Sequence, residues 1–214
     1  MNGWALTFTR KSTPISLTNM YSEKMKKVLI VTMALSMALM GCSNSGNGNK
    51  TLTKTGFNVV QLGMPIKDLP KSIDGLYDEI EEEKIEDFDY EGVVYHLRYN
   101  DKRTVALSEN EGRINAIEIY TGCLKTAEGF SILTTPAELL SAGAKAHCDN
   151  YGYEGLLYKG MLFSGTEFTA SGLKKAEDAY LYGTDQVFTI DDYVQNAYPV
   201  KVTLTQWYSE TEKD

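Results

Sequence analysis

Residues 89–99 read DYEGVVYHLRY and residues 152–158 read GYEGLLY. Each places a Tyr-Glu-Gly turn ahead of aliphatic and aromatic residues that suit a pleated, half-buried strand. Two further echoes fall in the same order. Before each phrase, GFNVVQLGMPIKDL (56–69) and GFSILTTPAELL (129–140) share Gly-Phe, an aliphatic pair, a proline and a leucine four positions after it. After each, RINAIEIY (113–120) and YPVKVTLTQWY (198–208) alternate apolar and polar residues. Three echoes in one order point to an internal duplication, the feature that most changes a fold assignment when missed.

Each half then reads as a short helix followed by antiparallel strands. Thr135-Pro136-Ala137-Glu138 is a capping box with proline at the first helical position, and LLSAGAKAH (139–147) extends the helix for two to three turns. Pro65 starts a helix that Pro70 ends within about a turn and a half. Strands are expected at VVYHLRYN, RTVALSE and INAIEIY in the first half, and at LLYKGMLFS, EFTASG and KVTLTQWY in the second. The expected class is α+β, as two tandem repeats, each a short helix plus a small antiparallel sheet. Two segments interrupt the symmetry: DEIEEEKIEDFDYE (78–91) and LKKAEDAYLYGTDQVFTIDDYVQNA (173–197), in which Thr189 and Asp192 cap a short helix through Asn196.

The N-terminal region carries an address. MKKVLIVTMALSMALMGC (25–42) has two lysines, an uncharged apolar run from Val28 to Met40, then Gly41-Cys42. That run is a secretory signal and is too short to span a bilayer. Leu39-Met40-Gly41-Cys42 resembles the lipobox of bacterial lipoproteins, which implies acylation at Cys42 (palmitate among the acyl chains), cleavage before it and an envelope location. Ser43 in place of aspartate implies the outer membrane. Residues 1–24 read as a misassigned start or an extended n-region. The expected organisation is a signal at 25–41, a flexible Ser/Asn/Gly tether at 42–55, repeat 1 at 56–123, repeat 2 at 124–210 and a tail at 211–214.

Net charge narrows the partners. The chain carries 21 Lys and Arg, 29 Asp and Glu, and a formal charge of −8. Loss of residues 1–41 removes Arg10, Lys11, Lys24, Lys26 and Lys27 but only Glu23, so the mature charge falls to about −12. Nucleic acid, which selects clustered cations, is excluded as an expected partner, and membrane attachment falls to the acyl chains on Cys42. With Cys42 acylated, Cys123 and Cys148 are an even pair in a disulfide-permissive compartment, as a bridge or as two separate buried thiols.

Chemistry-bearing motifs are sparse. Asp87, Asp89 and Glu91 with Gly92 match the opening of a calcium loop, but Arg98 stands where the bidentate glutamate belongs. A hairpin turn with solvated acids is the favoured reading. His96 and His147 have no companions at metal-ligand spacing, and neither a serine-nucleophile elbow nor a phosphate-cradling loop occurs. No cofactor and no metal is expected. Acidic residues Glu81, Glu82, Glu83 and Glu86 read either as a solvated helix or edge strand, or as a docking surface for a basic partner. Tyr180, Tyr182, Tyr193 and Tyr198 are the aromatic residues expected to meet a protein or a glycan.

The duplicated short-helix-plus-sheet unit resembles the β-lactamase-inhibitor-protein fold. Leu62-Gly63-Met64 with its short helix resembles the small lipoproteins of the outer-membrane assembly machinery. Both resemblances imply protein binding without catalysis. The expected function is a non-enzymatic binding or assembly module of the envelope. An inhibitor or a protein- or glycan-capture lipoprotein is the alternative, and a carbohydrate-active hydrolase comes third.

Overall fold

The computed structural model describes residues 50–87, 90–149, 152–182 and 187–211, all within one compact unit. Three two-residue strands, β1 (Leu52–Thr53), β2 (Gly56–Phe57) and β3 (Val60–Gln61), make a small sheet. Eight more make the large one: β4 (Glu79–Asp87), β5 (Tyr90–Tyr99), β6 (Lys102–Asn110), β7 (Arg113–Ile119), β8 (Lys145–Asp149), β9 (Gly152–Tyr158), β10 (Met161–Ser164) and β11 (Lys201–Thr205). Their spatial order is β4-β5-β6-β7-β11-β10-β9-β8, antiparallel throughout. Helices α1 (Pro136–Ser141), α2 (Ala170–Tyr182) and α3 (Gln206–Thr211) complete an α+β architecture.

The hairpins follow from local chemistry. Asn100-Asp101, Glu111-Gly112 and Lys159-Gly160 join β5–β6, β6–β7 and β9–β10, and all six residues have positive φ. Paired left-handed conformations build the tight turn whose twist matches that of the flanking strands. Alternation then sets the register. Ile80, Leu97, Val105, Ile119, Val202, Phe163, Leu156 and Ala146 lie opposite one another across all eight strands. From Leu97 to Leu156 every member of that row is fully buried.

One face of the sheet is covered by the connections. Phe57, Val60, Leu76, Tyr77, Leu124, Ile132 and Leu139 pack there, and the Tyr77 hydroxyl donates to Pro70 O at 2.7 Å. At the β9 end, Tyr153, Phe168, Phe188 and Tyr193 form a four-ring cluster with centroids 4.6–6.4 Å apart. The Tyr153 and Tyr193 hydroxyls meet at 3.0 Å, and burial pushes the Tyr153 phenol up to about 12.

Several expectations change. Within the acidic segment, Glu79–Asp87 forms β4, an edge strand of the main sheet, in agreement with the edge-strand reading. Helix α1 has its capping box, with Thr135 Oγ1 accepting from Glu138 N, but ends at Ser141. Gly143 turns the chain at φ 96°, and Lys145–Asp149 leaves as β8 rather than as further helix. EFTASG is not a strand: beyond a single bridge from Phe168 to Tyr193, the chain enters α2 at Ala170. The Thr189–Asp192 capping box forms, but its 3-10 turn ends at Asp192. The expected end of the tether at residue 55 is corrected, since Leu52 is buried in β1 and Thr51 bridges Lys125.

The Cys123–Cys148 bridge does not form. Cys148, on the outer strand β8, is not part of a disulfide, whereas Cys123 is disulfide-bonded. Cys123 follows β7, four strand spacings from β8, or about 19 Å. Disulfides require Cα atoms within about 7 Å.

Helix α2 docks through a glycine. A Cβ on Gly172 would lie 2.0 Å from Asp192 O. Asp192 is itself buried, accepting from Lys175 Nζ and Thr189 N, each at 2.7 Å. Alanine normally favours a helix over glycine by about 1 kcal/mol. Here Gly172→Ala should instead destabilise by about 2 kcal/mol through overpacking, lowering Tm by roughly 4–8 °C. An unchanged or raised midpoint in a thermal melt would show that α2 does not press on the 190–192 turn.

Candidate functional site

The second face of the large sheet is open over most of its width. Its central row, read across the strands, is Glu81, His96, Ala106, Glu118, Thr203, Leu162, Leu157 and Lys145. Apart from buried Ala106 it is polar from β4 to β11, and it turns apolar at β10 and β9. Helix α3 covers that apolar end, where Tyr208 packs on Leu157 and Leu162. The Tyr208 hydroxyl donates to Glu154 Oε2 at 2.8 Å, and His147 is wedged edge-on against Trp207 and Tyr208, with ring centroids 5.1 and 5.5 Å away. Trp207 remains 54% exposed.

The polar part carries paired charges on five adjacent strands. His96 Nε2 lies 2.6 Å from Glu83 Oε2, and Arg98 Nε donates to Glu81 Oε2 at 2.7 Å. Arg103, directly opposite Arg98, holds its guanidinium 4.2 Å from the Tyr120 ring centroid. The Tyr120 hydroxyl and Lys201 Nζ both donate to Glu118. Burial raises the Glu118 carboxyl, but Lys201, Tyr120 and Arg103 outweigh it and hold the group below its ordinary range. Burial and the Glu118 carboxylate push the Tyr120 phenol up. A shallow pocket of about 370 Å³ at the β4 end is lined by Glu81, Glu82, Glu83, His96, Arg98 and Arg103.

Sequence-selected residues divide accordingly. Glu81, Glu82 and Glu83 are exposed and lie together on β4. The side chains of Glu86, Asp87, Glu91, Tyr180 and Tyr182, and all of Cys42 and Asp89, lie outside what is described. Tyr193 is corrected: at 3% exposure it belongs to the aromatic cluster and is no contact surface. Tyr198 is exposed at 38%. In the calcium-like stretch Asp87 ends β4, while Tyr90, Glu91 and Gly92 belong to β5 as strand rather than turn. Among the described residues, no group of three or more His, Cys, Asp or Glu is placed to hold a metal ion.

The face adds residues that sequence reasoning passed over: Arg103, Glu118, Tyr120 and Lys201. Their signal was phase, since Glu118 and Lys201 sit at the polar positions of alternating runs. That they meet depends on β7 pairing with β11, which alternation does not reveal.

No protein-family model matches the chain, and neither does any curated protein. Among solved structures, the crystal structure of the uncharacterized protein yfeY from Escherichia coli aligns with a TM-score of 0.43 at 14% identity, covering 73% of this chain and 99% of that one.

Because Glu118 is depressed in the folded state, its contribution is present above the ordinary carboxylate value, near pH 4.3, and is lost as pH falls through the folded value. Glu118→Gln should therefore lower stability by about 1 to 2 kcal/mol at pH 7, with the gap to wild type closing below about pH 4. Urea midpoints at pH 7 and pH 3 check this. A gap independent of pH would mean that the carboxylate charge contributes nothing.

Proposed function

We propose that this chain is a lipoprotein of the bacterial cell envelope, acylated at Cys42, with an outer-membrane address, whose folded domain binds a partner protein without catalysis. The observation that carries the binding reading is the band of paired charges on the open face. Three groups, Glu83 with His96, Glu81 with Arg98, and Arg103, Tyr120, Glu118 and Lys201 together, are each held by contacts within the group rather than converging on one point. Pre-positioned charges of both signs give specificity and steering in protein recognition. The lipobox-like Leu39-Met40-Gly41-Cys42 supports the anchor.

The internal duplication belongs to the same proposal. The strand order supports it: β4 to β7 run inward from one edge, β8 to β11 run inward from the other, and the last strands of the two halves meet. A short helical element precedes each run, at Ile66–Asp68 and at α1. Two units of one kind, joined through their final strands, agree with the sequence echoes and with the resemblance to the β-lactamase-inhibitor-protein fold. Glycan capture is the second reading, favoured by exposed Trp207 beside His147.

Intact-mass and peptide analysis of native protein should show a chain beginning at Cys42 with acyl mass added, and Cys42→Ala should move it from the membrane to the soluble fraction. Unmodified or disulfide-bonded Cys42 would overturn the anchor. For binding, cross-linking in native envelopes should trap one stoichiometric protein, and the paired substitutions Arg103→Glu and Lys201→Glu should reduce that yield about tenfold, the order expected from losing charge pairs across an interface. Equal capture by wild type and variant would remove the open face from the reading.

A further inference from the structure

The two outer strands of the large sheet are built differently. β8 has five residues and a register shift after His147, with Glu154 as the extra residue on β9. β4 has nine, paired to β5 rung for rung from Glu79–Arg98 to Asp87–Tyr90 with no shift, and it contains neither proline nor glycine. Its outer side has no strand neighbour among the described residues. Alternate backbone N–H and C=O groups therefore have no ladder partner among the described residues along about 30 Å. Natural sheets blunt such an edge by shortness, bulges, proline or charge. β4 uses charge alone.

That charge is nearly all of one sign. Glu79, Glu81, Glu82 and Glu83 are exposed, with Lys84 the one cation among them. Glu79, Glu81 and Glu83 recur every second residue and so lie on the open face, about 7 Å apart. Arg98 and His96 engage Oε2 of Glu81 and of Glu83, which leaves Oε1 of each for a second donor. Pairing of β4 with a second β4, parallel in register or antiparallel about Glu81, would set glutamate against glutamate, which is destabilising across a ladder. The edge thus rejects its own kind and fits the opposite charge.

We propose that β4 is a docking edge for an extended cationic segment of a partner protein, which adds as a ninth strand with Lys or Arg at alternate positions facing Glu79, Glu81 and Glu83. Backbone ladder bonds supply affinity in this mode, and the alternate side chains supply specificity. The inference rests on the reading that the domain binds protein, and it names the partner's chemistry and mode.

The test uses the full-length protein in non-ionic detergent and a synthetic nine-residue peptide, KTKTKTKTK, with blocked ends. Two N-methylated versions keep every charge. One is methylated at the odd-numbered backbone amides, the other at the even-numbered ones, so only one set removes the donors that face β4. Strand addition predicts saturable binding of the parent peptide, at least tenfold weakening by one methylated set and less than twofold by the other. Replacing Glu79, Glu81, Glu82 and Glu83 together by Gln should weaken binding about tenfold, the sum of several exposed ion pairs, while circular dichroism shows an unchanged fold. ETETETETE should not bind. Equal binding of both methylated peptides would reduce the interaction to charge attraction and overturn strand addition, as would no binding of the parent. In either event, envelope cross-linking that still depends on Arg103 and Lys201 would leave the binding-module reading standing without its edge.

Discussion

The pairing of β7 with β11 holds the molecule together. Through Ile119 opposite Val202 and Ile117 opposite Leu204, four fully buried side chains join two runs of strands that would otherwise be separate. Without that seam each half is a narrow sheet with one apolar face, and small sheets need a packing partner to persist. With it, the apolar row continues across all eight strands and gives the connections one surface to cover. The seam also joins residues about 80 positions apart in the chain. Its closure is therefore entropically late, after the local hairpins at Asn100-Asp101, Glu111-Gly112 and Lys159-Gly160 have formed.

How much the sequence disclosed follows from that division. Local features were legible: strands at VVYHLRYN, RTVALSE and INAIEIY, the Thr135–Glu138 capping box, the Thr189–Asp192 box and the proline-limited turn at 66–68. Each is decided within a few residues by alternation or a cap. The segment AKAH (144–147) was misread because its helix propensity is real, and propensity yields once an edge position beside β9 becomes available. Tyr193 was misread because a tyrosine in a polar stretch looks like surface, whereas three aromatic neighbours, two of them from distant segments, bury it. The cysteine pair failed for a similar reason: spacing in sequence says nothing of the strands that intervene.

The candidate site was legible in its ingredients and not in its assembly. Glu81, Glu82 and Glu83 announced themselves by density, and their edge position agreed with the reading that charge guards an edge. The cations that organise the open face came from three other strands and became visible only with the register. Their arrangement explains why so charged a surface is compatible with a single stable sheet. Glu118 is partly buried, and a lone carboxylate there would resist ionisation. Lys201, the Tyr120 hydroxyl and Arg103 reverse that cost.

The asymmetry of the two edges has a further physical consequence if the domain is tethered by acyl chains, as proposed. Confinement to a membrane raises the effective concentration of neighbouring copies, which favours any contact between open strand edges. A short, shifted β8 limits pairing by geometry. A long, regular β4 cannot, and its carboxylates limit pairing by repulsion instead. Repulsion of that kind is weakened by salt and by protonation, whereas a bulge is affected by neither. The edge that retains regular geometry is thus the one whose guard is conditional, and a conditional guard leaves the strand open to a partner of the opposite charge.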